Sequence, residues 1–270
     1  MPSVAVTGAA RGLGYQFLQY FAAKPDYQVF GLVRRNKADT DAKLSKDGIT
    51  NVTIIEADIT DAPALEKAAE QVSQAAGGKL DLLINNAAIL GERSRWKPMA
   101  DMSASFLDEE MTACFRTNVI GVAFATNAFL PLIKAGQQKK VITLATGLAD
   151  VELTNQLSAV AGGPYSISKA ATNMLVAKYN AAYGASEGIL FLALSPGLVD
   201  TDMNASGPKD EEAIKGEQAM VAAFMKFAPD FKGPITPEES VNSMMEVVDK
   251  ATVESMGGAF VSHHGDKNWL

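Results

Sequence analysis

Seven short apolar runs with little polar alternation restrict the fold of this chain more than any other feature. They lie at 3–7 (SVAVT), 28–33 (QVFGLV), 52–56 (VTIIE), 81–85 (DLLIN), 140–145 (KVITLA), 189–195 (ILFLALS) and 258–262 (GAFVS). A strand with one wet face alternates in polarity, so near-continuous runs imply strands covered on both faces. Stretches with helical spacing at 12–23, 62–75, 104–134, 164–185, 210–226 and 237–249 can supply those covers. Strands separated by helices predict a doubly wound α/β fold, a parallel sheet of about seven strands between two helical layers. Hydrophobic residues make up 47% of the 270, and no composition shift marks a seam. One Rossmann-type domain spanning 1–270 is therefore expected. The irregular stretches 86–103, 147–163 and 198–210 begin at carboxyl ends of strands, where such sheets bind ligands.

The first run leads directly into TGAARGLG, residues 7–14, which opens a helix. Gly8 permits a tight turn, Gly12 lets backbone approach a pyrophosphate, and Gly14 lets helix and strand pack closely. Arg11 and Leu13 complete the turn, and the helix amino terminus favours an anion. The second run ends in Arg34 and Arg35, where a ribose diol would call for an acid. Arginine there suits a 2'-phosphate, so the expected cofactor is NADP(H).

Charge and composition exclude several other functions. A net charge of -7 with no basic cluster argues against a nucleic-acid partner. The amino terminus has no charged region followed by an apolar segment, and no apolar run is read as long enough to span a membrane. The expectation is a cytoplasmic protein with no membrane partner. Cys114 is the only cysteine, and His263 and His264 are adjacent, so no Cys/His metal site can be assembled. Acid and base chemistry then falls to Tyr, Lys, Asp or Glu, which points to PYSISKAA at 164–171. Tyr165 and Lys169 are one helical turn apart there, and an ammonium so placed is expected to stabilise a phenolate whose ordinary pKa is about 10.

Taken together, these motifs make the whole chain resemble the short-chain dehydrogenase/reductase family. The matching residues are Thr7, Gly8, Gly12 and Gly14, Asp58-Ile59 in EADIT, and NNAA at 85–88. Asn118 in RTNVIG, Tyr165 and Lys169 in YSISK, and PGLVDT at 196–201 complete the series. The resemblance implies an NADP-dependent carbonyl reductase-like member acting on a small-molecule carbonyl or alcohol. It implies that Gly8 to Gly14 hold the pyrophosphate, Arg34 the 2'-phosphate, Asp58 and Ile59 the adenine, and Asn86 with Ala87 the adjacent ribose. Pro196, Gly197, Val199 and Thr201 would hold the nicotinamide carboxamide and diphosphate. Tyr165 would be the general acid, Lys169 would bind the nicotinamide ribose and tune the tyrosine, and Asn118 would hold a relay water. Family members often pair the helices corresponding to 104–134 and 164–185, which implies a homodimer or homotetramer.

One position departs from the family pattern. A serine normally follows the fifth strand and holds the substrate carbonyl, whereas VITLATG places Ala145 and Thr146 there. Thr146 keeps a hydroxyl on a stiffer side chain, with Ser158 as the alternative because the stretch to Tyr165 is long. The altered position also sustains a rival reading, a non-catalytic NADP(H)-binding regulator. An insertion around 200–236 with Met203, Met220, Phe224, Met225, Phe227 and Phe231 is expected to form a substrate lid. Trp96, Met99 and Met102 join it from the loop after NNAA, together suiting a medium-sized apolar carbonyl compound. The helical spacing of Met220, Phe224 and Phe227 equally suits ordinary core packing. The closing VSHHGDKNWL has two open readings, a subunit contact or the pocket mouth.

Overall fold

Val4 and Val6 of the first strand face one apolar layer and Ala5 faces the other, the period-2 arrangement of a strand buried on both sides. The computed structural model describes residues 1–91, 93–201 and 211–269. Its strands are β1 (Ser3–Thr7), β2 (Gln28–Val33), β3 (Val52–Glu56), β4 (Leu82–Asn85), β5 (Lys140–Leu144), β6 (Leu190–Ser195) and β7 (Phe260–Ser262). They form one parallel sheet in the order β3-β2-β1-β4-β5-β6-β7. The order reverses between β1 and β4, which opens a crevice at the carboxyl ends of those strands.

Helices α1 (Gly12–Ala22), α2 (Lys37–Lys46), α3 (Ala62–Ala76), α4 (Ala104–Phe115), α5 (Val122–Ala135), α6 (Val151–Leu157), α7 (Gly163–Glu187), α8 (Glu211–Phe227), α9 (Pro237–Lys250) and α10 (Val253–Met256) complete the elements. α1 packs on α9 over one face, and α3, α5 and α7 cover the other. Local chemistry sets several helix ends. Asp61 accepts from the Ala64 amide to start α3, and Thr236 with Glu239 forms a reciprocal capping box on α9. The bracket closing the other end of the sheet is Asp81, whose carboxylate accepts from the Ser3 amide (2.9 Å) and the Gln137 amide (2.7 Å).

The expected strands and main helices are present, with three additions and one division. α2 carries only Thr40 and Leu44 inward, too few apolar residues to leave a stripe in the sequence. α6 lies within the stretch expected to be irregular; the Asp150 carboxylate caps it, and Leu153 and Leu157 are its buried face. α10 is a single turn with its own Thr252/Ser255 box. The helix expected over 104–134 is interrupted by a π-helical turn, Arg116–Gly121, between α4 and α5. The segment Ala104–Ala135 is long and apolar enough to cross a membrane, contrary to the expectation that no run reaches that length. Its apolar content has another use, since Ala125, Phe129 and Ile133 are buried in the layer beneath the sheet.

Candidate active site

A cavity of about 990 Å³ runs along the carboxyl ends of the strands, from the β2–α2 corner across the β1–α1 turn to the β5–α7 loops. That volume lies at the upper end of the range for small-molecule and cofactor sites. At one end lies the glycine turn. Gly8 and Gly12 have φ values of +67° and +53°, in the left-handed region that favours glycine. A side chain on Gly8 would meet Ala87 Cα at 2.8 Å, and one on Gly14 would strike the Gly8 carbonyl oxygen and Asn86 Nδ2. Gly8, Gly12 and Leu13 line the cavity, while Gly14 lies behind the turn and lets α1 close on β1. Asn86 reinforces the same turn: its Nδ2 donates to the carbonyls of Thr7 (2.9 Å) and Gly8 (3.1 Å). The Asn86 and Ala87 amides both donate to Thr7 Oγ1 at 3.1 Å. The side-chain nitrogen of Asn86, the residue expected at the ribose, is thus committed to backbone carbonyls.

The positive corner is at the end of β2. Arg11, Arg34 and Arg35 are exposed and line the cavity, and Lys43 of α2 joins them. Lys43 was not singled out in the sequence because it belongs to the unexpected helix; its ammonium sits 3.6 Å from the centroid of the Tyr15 ring. Asp58 and Ile59 border this end, with Asp58 Oδ1 accepting from both the amide and hydroxyl of Thr60 at 2.8 Å. Across the crevice, Pro196, Gly197, Val199 and Thr201 form the opposite wall. The Pro196 carbonyl accepts from Ser240 Oγ at 2.7 Å, and residues 198–200 pair with Ile235. Gly197, at φ +82°, admits the His263 ring, which a side chain there would meet at 2.7 Å.

At the other end of the same cavity are Thr146, Tyr165 and Lys169. α7 begins just before the pair, with Gly162 at φ +70° and Pro164 in its first turn. Lys169 is buried and donates from Nζ to the Leu144 carbonyl at 2.7 Å; burial lowers its pKa to about 8. Its Nζ lies 6.0 Å from the Tyr165 ring centroid. Burial pushes Tyr165 up to about 12, against a side-chain hydrogen bond with Thr146 and the positive charge of Arg95. The net shift is upward, opposite to the expected stabilisation of a phenolate, because desolvation is its largest cause.

Thr146 is bound at a useful place. Its Oγ1 accepts from the Leu148 amide at 3.3 Å and shares a hydrogen bond with Tyr165. Ser158 is exposed at the left-handed end of α6 and does not line the cavity, so it drops out as the alternative hydroxyl. Asn118 is buried in the π turn behind the wall. Its Oδ1 accepts from the Ile89 amide (2.9 Å), and its Nδ2 donates to Ile89 O (3.0 Å) and Ser168 Oγ (2.9 Å). Inserting a π turn into a helix re-aims one residue, here tying the loop after β4 to α7.

The substrate end differs from expectation in its details. Met220 and Phe224 of α8 line the cavity, although their spacing equally suited core packing. Trp96, Met99, Met102, Met225, Phe227 and Phe231 lie off its lining, and Met225 and Phe227 face solvent. Met203 lies outside the described residues. Arg95, beside Trp96 and outside every motif in the sequence, lines the cavity near Tyr165. Trp269 also lines it, so the closing segment reaches the pocket.

Comparison with known proteins agrees with this geometry. The family model for short chain dehydrogenases matches residues 2–212. Short-chain dehydrogenase/reductase AacuF of Aspergillus aculeatus is 49% identical over 270 residues, covering all of both chains. Short chain dehydrogenase virK of Hypocrea virens is 40% identical over 275 residues, again across both full lengths. Among solved structures, NADPH-bound carbonyl reductase from chicken fatty liver is similar with a TM-score of 0.77 at 26% identity, covering 98% of each chain.

Proposed function

The chain belongs to the short-chain dehydrogenase/reductase family of oxidoreductases, and from that premise we propose that it is an NADPH-dependent carbonyl reductase, reversibly an alcohol dehydrogenase. The observation that carries this reading is that two separately built groups share one cavity. The glycine turn with its arginines forms one end, and Thr146, Tyr165 and Lys169 form the other. The open Gly12, where an added side chain would meet nothing closer than Thr201 at 3.8 Å, fits a pyrophosphate on the α1 amino terminus. The exposed arginines fit a 2'-phosphate, and the similar chicken reductase is NADPH-bound.

When bound, NADPH supplies a hydride to the carbonyl carbon. The chain's own residues supply the rest. Tyr165, protonated at neutral pH as an ordinary phenol is and held so further by burial, which raises its pKa to about 12, donates its phenol proton to the carbonyl oxygen as the C–H bond forms. Thr146, already hydrogen-bonded to Tyr165, holds that oxygen beside the phenol. Lys169 holds the nicotinamide ribose and returns a proton toward Tyr165, a task suited to an amine with a pKa of about 8. Asn118 holds the π turn and α7 in register, and through them the pair. The substrate is a medium-sized apolar carbonyl compound, and α8, through Met220 and Phe224, covers its end of the cavity on the same domain. A homodimer or homotetramer in the cytoplasm belongs to this reading; exposed Ile120, Ile167 and Met174 on the π turn and α7 support the assembly.

Tyr165→Phe tests the mechanism on a panel of ketones, aldehydes and quinones. Turnover is expected to fall about 10³-fold with NADPH affinity retained. Reduction near the wild-type rate would refute the role of Tyr165.

A further inference from the structure

The segment after β7 turns back and is held there at several points. Asp266 Oδ1 accepts from Ser262 Oγ (2.9 Å) and the Asn268 amide (2.8 Å), which closes the turn. Lys267 Nζ lies 3.6 Å from Asp150 Oδ2 and sits over the rings of Phe260 (4.8 Å) and Trp269 (5.0 Å). The Trp269 indole stacks on Phe260 with centroids 4.5 Å apart at 26°, and only 5% of the residue is exposed. Its remaining surface lines the cavity beside Leu148, Leu153, Met220 and Phe224.

Gly147 fixes how close this indole comes to the reactive groups. A side chain at 147 would have its Cβ 3.0 Å from Trp269 Cβ and 3.3 Å from Cγ. The residue before it is Thr146, hydrogen-bonded to Tyr165. The indole therefore stands one residue from the hydroxyl pair, braced from behind by an aromatic ring and a cation. A rigid π surface there attracts a planar aromatic ring more than a saturated ring of the same size.

We propose that Trp269 is the specificity-determining wall of the substrate site, and that it selects carbonyl compounds whose reducible carbon is attached to or fused with a planar aromatic ring. The proposal rests on the carbonyl-reductase reading for its reaction, but not for its binding test. The probes are 1-tetralone and its saturated counterpart 1-decalone, titrated calorimetrically into the full chain with and without NADP⁺, which cannot reduce them. Trp269→Ala is expected to weaken 1-tetralone about 10- to 30-fold while moving 1-decalone by no more than about 3-fold. Trp269→Phe is expected to recover most of the lost 1-tetralone affinity, which a merely structural role would not produce. Gly147→Val, whose added carbons would press on Trp269 Cβ and Cγ, is expected to shift the 1-tetralone to 1-decalone preference in the same direction as Trp269→Ala. Equal weakening of both ketones, unchanged affinity for 1-tetralone, or no binding of 1-tetralone to the wild-type protein would each overturn the proposal. Turnover with NADPH is measured separately. Tetralone binding that depends on Trp269, without reduction of tetralone or of any member of the ketone, aldehyde and quinone panel, would defeat the reductase reading and leave the wall standing, whereas reduction with an unchanged ketone preference would do the opposite.

Discussion

The two ends of the cavity are built by different means. The nucleotide end is made mostly of backbone. Gly8, Gly12 and Gly14 close it, and Thr7 and Asn86 tie it to β4 through hydrogen bonds to main-chain groups. Its residues come from one short turn and the ends of neighbouring strands. The substrate end is made of side chains drawn from distant parts of the chain, including Arg95, Thr146, Tyr165, Phe224 and Trp269. A site that needs a backbone shape leaves a local motif, whereas a site that needs a wall leaves scattered apolar residues with no common signature.

Substitutions at each end can sharpen or break that contrast. The largest effect is expected at Lys169→Met, which removes a buried ammonium from the substrate end. Turnover should fall about 10³-fold, while thermal or urea unfolding at pH 7 should show a gain of about 3 kcal/mol, the equivalent of a lysine pKa lowered to about 8. The sign follows from proton counting: between about pH 8 and 10.5 the unfolded lysine is protonated and the folded one is neutral. Wild-type stability therefore rises with pH through that window, and the advantage of the variant should disappear by about pH 10.5. Above about pH 10 the raised pKa of Tyr165 acts the other way, removing stability as the unfolded phenol ionises first. A variant less stable than wild type at neutral pH would mean that the Leu144 hydrogen bond outweighs the desolvation of Lys169.

Gly14→Val examines the backbone-made end. Its first carbon meets the Gly8 carbonyl and Asn86 Nδ2, so a loss of about 2 to 3 kcal/mol in unfolding free energy is expected, with NADPH binding lost in parallel. An effect on binding without one on stability would separate the turn from the fold. Arg34→Ala should act more weakly and on one cofactor only. Its expected signature is about 10- to 30-fold weaker NADPH binding with NADH unchanged. Equal change for both cofactors would remove Arg34 from the 2'-phosphate site.

The fold was legible to a large degree because strands buried on both faces leave continuous apolar runs; each predicted strand lies within two residues of an observed one. α2 was not legible because its sequence, KADTDAKLSK, turns only Thr40 and Leu44 inward. With α2 went Lys43, a cation at the corner where only the arginines were foreseen. The π turn escaped because RTNVIG fits the helical spacing on either side, and the extra residue shows only in the backbone of the folded chain. The direction of the Tyr165 shift was also out of reach, since the spacing to Lys169 is local and desolvation is a property of the assembled wall. Ser158 remained an alternative to Thr146 in the sequence because loop length alone does not tell which hydroxyl turns inward. The turn closed by Asp266 carries Trp269 back against Gly147 and onto the cavity lining, a placement that the ten closing residues do not signal by themselves.

The central claim, hydride transfer to a carbonyl with Tyr165 supplying the proton, is tested most directly by following a label. NADPH carrying deuterium on each face of C4 in turn is incubated with the wild-type protein and the carbonyl panel, and alcohol products are analysed by mass spectrometry. Deuterium is expected on the carbinol carbon from one face only, with product formation falling about 10³-fold in Tyr165→Phe. Absence of labelled alcohol from every member of the panel, or undiminished labelling by Tyr165→Phe, would contradict it.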